Sequence, residues 1–252
     1  MERILVPGWN IASCARALDL AMRIPGLDVA VGIHPHDAAK LGPGDWDRIR
    51  AWADQPSVVA IGETGLDYDR VFSPIDDQLA NLRRNLVLAR ETGRPAILHC
   101  RSATGRRDAQ DALVDELRAA GLGGAAWAAT FGDRPPAVIH SFSGPVDYAR
   151  EVLDLGLAIS FSGLVFRTGE EASSDVATLV PDDRLLVETD APFLAPPGAP
   201  RARNAPEWVR VTAAWVAERR SAADRPPGEM DGDRRSTLDG LVDAYDRTFR
   251  RR

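Results

Sequence analysis

Several short apolar runs in this chain end in residues that can bind a cation or move a proton. "VGIHPH" (31–36) closes on His34 and His36, and "VVAIGETG" (58–65) carries Glu63. "PAILHC" (95–100) carries His99, "AVIH" (137–140) ends on His140, and "LLVETD" (185–190) ends on Asp190. All four histidines of the sequence fall in this set. A lone strand-end histidine is ordinarily a core or turn residue. Glu63 alone would serve as a loop cap, and Asp190 before Pro192 as a turn former. Recurring at five run ends, these imidazoles and carboxylates make a nitrogen/oxygen donor set suited to Zn²⁺, Mn²⁺ or Mg²⁺. One or two divalent cations held in this way lower the pKa of a water and polarise a phosphoryl or carbonyl oxygen. Asp190 is the residue expected to orient that water and take its proton.

The elements that must position these groups are legible in the same runs. Seven segments, at 3–8, 27–35, 58–65, 95–100, 137–142, 157–163 and 184–190, are continuously apolar rather than alternating. That pattern suits strands buried on both faces of a parallel sheet. Between them, residues 75–92 carry apolar positions at helical spacing and stop at Gly93, with Pro95 just beyond. Residues 107–120 and 145–156 read the same way. The β-α order predicts an α/β fold with a parallel sheet and helices outside it. A closed (β/α)8 barrel of the TIM type needs eight strands. The expectation is therefore such a barrel, N-terminally truncated so that about seven strands remain; an open sheet is the alternative. In a parallel barrel the C-terminal strand ends form the face where active sites are built. Residues 1–252 read as one domain, with an irregular loop at 221–236 and a second irregular stretch at 121–136.

Composition narrows the function classes. The net charge is −6, whereas a protein that coats nucleic-acid duplexes usually shows a basic stripe. An enzyme that binds cations needs no such stripe, because the ions supply local positive charge. Cys14 and Cys100 have neither metal-type nor redox-type spacing and read as thiols of a reducing compartment. No apolar run approaches the ~18 residues of a membrane-spanning helix. The expected location is the cytoplasm, with no membrane partner. Lys40 is the sole lysine.

Six motifs in order, "VGIHPHDA", "AIGETGLDYD", "PAILHCRSA", "VIHSFSG", "LAISFSG" and "LLVETDAPFLAP", resemble the TatD-related deoxyribonucleases, metal-dependent hydrolases of the amidohydrolase-like barrel class. The resemblance runs from about residue 3 to 216 and returns in "LVDAYDRTF" (241–249). It implies a (β/α)8 fold and hydrolysis of DNA phosphodiesters from a 3′ end with one or two divalent cations, so DNA or an oligonucleotide is the expected partner. It further implies that Glu63, His99, His140 and Asp190 are metal ligands, and that His34 faces a phosphate. Arg101 reads either as a phosphate contact or as a surface arginine. Arg201 and Arg203 in "PRARNAP" read either as phosphate contacts or as part of a solvated loop. Asp67 in "GLDY" reads as a structural hydrogen-bonding group. Ser102 stands where the family usually has aspartate. The family's first-strand His-x-His pair is also missing, which leaves a catalytically impaired scaffold as one alternative. A barrel hydrolase acting on an amide, lactone or phosphotriester is another. Such enzymes commonly bridge their cations with a carbamylated lysine at a strand end, a position the loop residue Lys40 does not occupy.

Overall fold

The computed structural model describes residues 3–200, 203–223 and 234–250. Seven strands alternate with helices among them, in the α/β order expected. The strands are β1 (Ile4–Pro7), β2 (Leu27–Val31), β3 (Val58–Asp67), β4 (Ala96–Arg101), β5 (Ala137–Ile139), β6 (Ala158–Phe161) and β7 (Leu185–Val187). The helices are α1 (Ile11–Arg23), α2 (Asp45–Ala53), α3 (Ile75–Thr92), α4 (Asp108–Ala119), α5 (Ala125–Phe131), α6 (Val146–Asp154), α7 (Ser173–Leu179), α8 (Val209–Ala223) and α9 (Arg234–Thr248). The chain divides into two compact units: the first runs through Ile139 and includes Phe249, and the second is His140–Thr248.

In the first unit β1 to β5 pair in sequence order, every pair parallel. All ten residues of β3 are buried. This explains the unbroken apolar character of the run, since a strand covered on both faces has no solvent side on which to alternate. The β3–β4 register shifts between Ile61 and Thr64. Such an irregularity re-aims a side chain, and here the re-aimed residue is Glu63. Beyond it, a Cβ on Gly65 would lie 2.0 Å from the His99 carbonyl oxygen. Only glycine lets β3 and β4 approach so closely at this point.

Helix α3 starts and stops where the sequence places it. Gly93 caps it in the left-handed conformation (φ 59°), the usual role of a glycine just past a helix end. Its buried face is not purely apolar. Leu82, Leu86 and Ala89 share it with Gln78, Asn81 and Asn85. Gln78 accepts from the Asp67 amide (2.8 Å) and donates to the Asp67 and Ser73 carbonyls. Asn81 donates to the Ile33 carbonyl (2.6 Å) and to the Thr64 hydroxyl. These amides satisfy backbone groups that a strand end leaves without ladder partners. They thereby fix the chain just before His34 and just beyond Glu63.

In the second unit β6 and β7 pair in parallel. Arg220 on α8 donates to the Ala177 and Val180 carbonyls, closing the C-terminal end of α7. Phe142 stacks on Tyr148 and meets Phe161 edge-on.

Two expectations need correction. The stretch 121–136 contains α5, an alanine-rich helix bounded by Gly124 and Gly132. Trp127 and Phe131, one turn apart, stack and are buried, and their burial stabilises a segment whose glycines and proline read as irregular. Of the stretch 221–236, read as an irregular loop, residues 221–223 belong to α8 and 234–236 to α9; residues 224–233 lie outside those described.

Candidate metal centre

Three residues of the first unit bring their polar atoms together: His34 just beyond β2, Glu63 in the middle of the long strand β3 rather than at its end, and His99 in β4. Ligand atoms of His34, Glu63 and His99 all lie within 4.8 Å of one another. Glu63 Oε1 is 3.4 Å from His34 Nε2 and 3.1 Å from His99 Nδ1. The rings of His34 and His99 pack edge-on, 4.6 Å between centroids. The Glu63 carboxylate and the His99 imidazole are donors a divalent cation fits, and His34 stands beside them.

A second carboxylate holds the histidines from behind. Asp67 Oδ2 is 2.7 Å from His36 Nε2 and 3.4 Å from His99 Nε2. A carboxylate behind an imidazole orients the ring and raises its basicity at the other nitrogen. Burial alone would raise the Asp67 pKa. The hydrogen bonds from His99, the Arg70 amide and His36, with the charge of His99, overcome that and hold the carboxyl well below the usual range. Asp67 thus stays charged at neutral pH. Its other oxygen accepts from the Asp69 and Arg70 amides. The structural role expected for Asp67 is present, together with a contact to the histidine cluster that the sequence did not suggest.

His34 has a defined hydrogen-bonding polarity. Its Nδ1 accepts from the His36 amide (3.1 Å). In a neutral imidazole the proton then sits on Nε2. Burial lowers the His34 pKa, and the hydrogen bond and charge of Glu63 only partly offset it, so the ring is neutral near pH 7. A neutral ring with Nε2–H is a donor, suited to a carboxylate or phosphate oxygen.

The second unit carries another histidine–carboxylate pair. His140, next after β5, places Nδ1 2.6 Å from Glu188 Oε1. The other oxygen of Glu188 accepts from Ser160 on β6 (2.6 Å), and its amide donates to Phe161 in the β6–β7 ladder (2.8 Å). Glu188 lies in the run "LLVETD", but nothing in the sequence links it to His140. Asp190 sits on the turn after β7 with φ 54°, a left-handed conformation that Asp and Asn tolerate better than most residues. Buried Asn204 donates to the Thr189 and Phe193 carbonyls on either side of it. The Asn of "PRARNAP" therefore holds the turn that presents Asp190.

The remaining predicted residues are placed as follows. Arg101 ends β4, is exposed, and pairs with Asp69 at 2.7 Å. Arg203 is exposed. Arg201 lies outside the described residues. Ser102 accepts from the Ala109 amide and donates to Gln110, bracing the start of α4. Lys40 is exposed and pairs with Asp37 at 2.5 Å, away from any strand end. No helix among the described residues is long and apolar enough to cross a membrane.

The family model described as "TatD related DNase" matches residues 1–227. A 3′-5′ ssDNA/RNA exonuclease TatD of Cronobacter turicensis is 36% identical over 225 residues, covering 86% of this chain and 79% of that protein. An uncharacterized metal-dependent hydrolase YabD of Bacillus subtilis is 34% identical over 218 residues, again covering 86% and 79%. The crystal structure of the TatD homolog YJJV from Escherichia coli K12 superposes with a TM-score of 0.80 at 26% identity, covering 99% of this chain and 86% of that one. The fold is thus of the TIM-type α/β class that the strand pattern predicted.

Proposed function

The chain belongs to the TatD-related DNase family, and on that premise we propose that it is a metal-dependent hydrolase that cleaves phosphodiester bonds of single-stranded nucleic acid from the 3′ end. The observation that carries this reading is the convergence of His34, Glu63 and His99 within 4.8 Å in a chain so related to TatD exonucleases. Glu63, His99, His140 and Asp190 would hold one or two divalent cations, with Zn²⁺, Mn²⁺ and Mg²⁺ the candidates. When bound, such a cation lowers the pKa of a water and neutralises charge on the phosphate.

The chain's own residues do the rest. Asp67 holds His99 in orientation. Glu188 does the same for His140, drawing on the Ser160 hydroxyl to stay fixed. His34 donates Nε2–H to a non-bridging phosphate oxygen, and Arg101, Arg201 and Arg203 add positive charge along the strand. Asp190 takes the proton of the attacking water as a P–O3′ bond breaks; the shortened strand departs with its O3′ protonated from solvent or from Asp190, and the terminal nucleotide leaves carrying the phosphate. We read residues 1–252 as one hydrolase domain, since the family match spans both compact units. The reduced, buried thiols Cys14 and Cys100 support a cytoplasmic location; burial pushes Cys14 up to about 11, which keeps it protonated and unreactive.

The test is direct. Protein stripped with a chelator should leave a 5′-labelled single-stranded oligonucleotide intact. Adding Mn²⁺, Mg²⁺ or Zn²⁺ should restore stepwise shortening from the 3′ end. A folded, metal-loaded protein that shortens no oligonucleotide with any of the three would refute the reading. The brace on His140 has its own readout. Glu188→Gln keeps the shape and removes the charge, and should weaken metal binding by roughly 10–100-fold in a competition titration against a chromophoric chelator. Unaltered affinity would mean that Glu188 does not tune His140.

A further inference from the structure

Phe72 is 64% exposed, although the loop that carries it is firmly anchored. The loop joins β3 to α3. At one end Asp67 accepts from the Asp69 and Arg70 amides. At the other, fully buried Ser73 accepts from the Ala39 amide and donates to the His36 carbonyl, both at 3.1 Å. Gln78 ties the two ends together through Asp67 and Ser73. Between these anchors Val71 takes φ 21°, outside the regions a β-branched residue prefers, and Val71 and Phe72 both face solvent. A protein that pins a loop this thoroughly could have turned its phenylalanine inward.

Among the described residues the ring has one aromatic neighbour. It meets His36 edge-on, 4.7 Å between centroids at 87°. His36 in turn lies 4.3 Å from His34 and 6.1 Å from His99. Phe72 therefore stands one ring away from the groups that would receive the scissile phosphate. Arg70, two residues before it, is exposed and has no ion-pair partner among the described residues. An exposed aromatic with a cation beside it is the pairing that grips a single strand, the ring taking a base face and the cation a phosphate.

The geometry points to Phe72 as a stacking platform for the nucleobase attached to the phosphate that the His34–Glu63–His99 cluster addresses. This rests on the nuclease reading above and deepens it by naming the residue that receives the base. Inside a duplex each base is stacked on both faces, and at a duplex end the paired strand is held beside the open face, so a ring that takes up a splayed base favours an unpaired end. Because the loop is held before substrate arrives, little ordering cost opposes binding.

The experiment uses the full, metal-loaded chain and two fluorescein-labelled single-stranded probes with hydrolysis-resistant phosphorothioate linkages. One carries normal bases throughout; the other has abasic residues at its last two 3′ positions. The unaltered protein should bind the first about ten-fold more tightly than the second. Phe72→Ala, with an unchanged melting temperature, should lose that advantage by weakening only the first probe. Phe72→Trp should keep it. Equal binding of the first probe by Phe72→Ala and the parent, or equal weakening of both probes, overturns the platform. If oligonucleotides are hydrolysed all the same, only the platform falls. If the parent neither binds nor hydrolyses any oligonucleotide, the nuclease reading falls and the platform with it.

Discussion

Glu63→Gln is expected to lower kcat/KM on single-stranded DNA by about 10³-fold or more and to empty the protein of tightly held metal. Glu63 is the only carboxylate of the three-residue cluster, with Oε1 3.4 Å from His34 Nε2 and 3.1 Å from His99 Nδ1. Glutamine has the same length and fills the same space, so packing around β3 is kept. The charge that would balance a cation is lost, and an amide oxygen is a poor substitute. Charge stabilisation by a catalytic cation is worth several kcal/mol, and about 1.4 kcal/mol is a factor of ten in rate; three decades follow. Elemental analysis after gel filtration gives the metal content, and initial rates give the catalytic loss. Retention of both metal and activity to within ten-fold would show that Glu63 is not at the centre of the site.

Asp190→Asn should behave differently. A positioned general base typically contributes about 10²–10⁴ in rate, so kcat should fall by that range while KM changes little. Asparagine is the informative replacement because residue 190 has φ 54°. Asn tolerates the left-handed region about as well as Asp, whereas alanine there adds backbone strain to the chemical deletion. The turn is also held independently by Asn204. A melting temperature near that of the parent, with kcat down by two decades or more, fits a proton acceptor. A kcat within ten-fold of the parent would remove Asp190 from that role. Because Asp190 would also ligate a cation, the metal content of Asp190→Asn is measured alongside: kcat down by two decades with the metal retained assigns the loss to proton transfer, whereas Glu63→Gln loses both.

The same residues show why some of the site could be read without coordinates. Glu63 and His99 lie in continuously apolar runs of the first unit, and successive strands of a parallel β-α sheet run the same way, so their late residues are neighbours. Helix α3 was bounded correctly because Gly93 and Pro95 act on the backbone locally. The helix within 121–136 was missed because its stability comes from burying Trp127 and Phe131, which local propensity does not register.

What the sequence alone determined is thus the order of elements, the donor types and the run ends on which they stand, all consequences of local backbone chemistry and hydrophobic patterning. Only the tertiary structure decided how those donors are held. Asp67 faces His36 and His99 across 31 and 32 positions of chain, Glu188 faces His140 across 48, and Asn81 reaches the Ile33 carbonyl across another 48. The shift between Ile61 and Thr64 turns Glu63 toward its neighbours. Apolar periodicity reports whether a position is covered, not which polar atom a side chain will meet. That depends on strand register and on the loops bracing each strand end, which are settled only when distant segments pack.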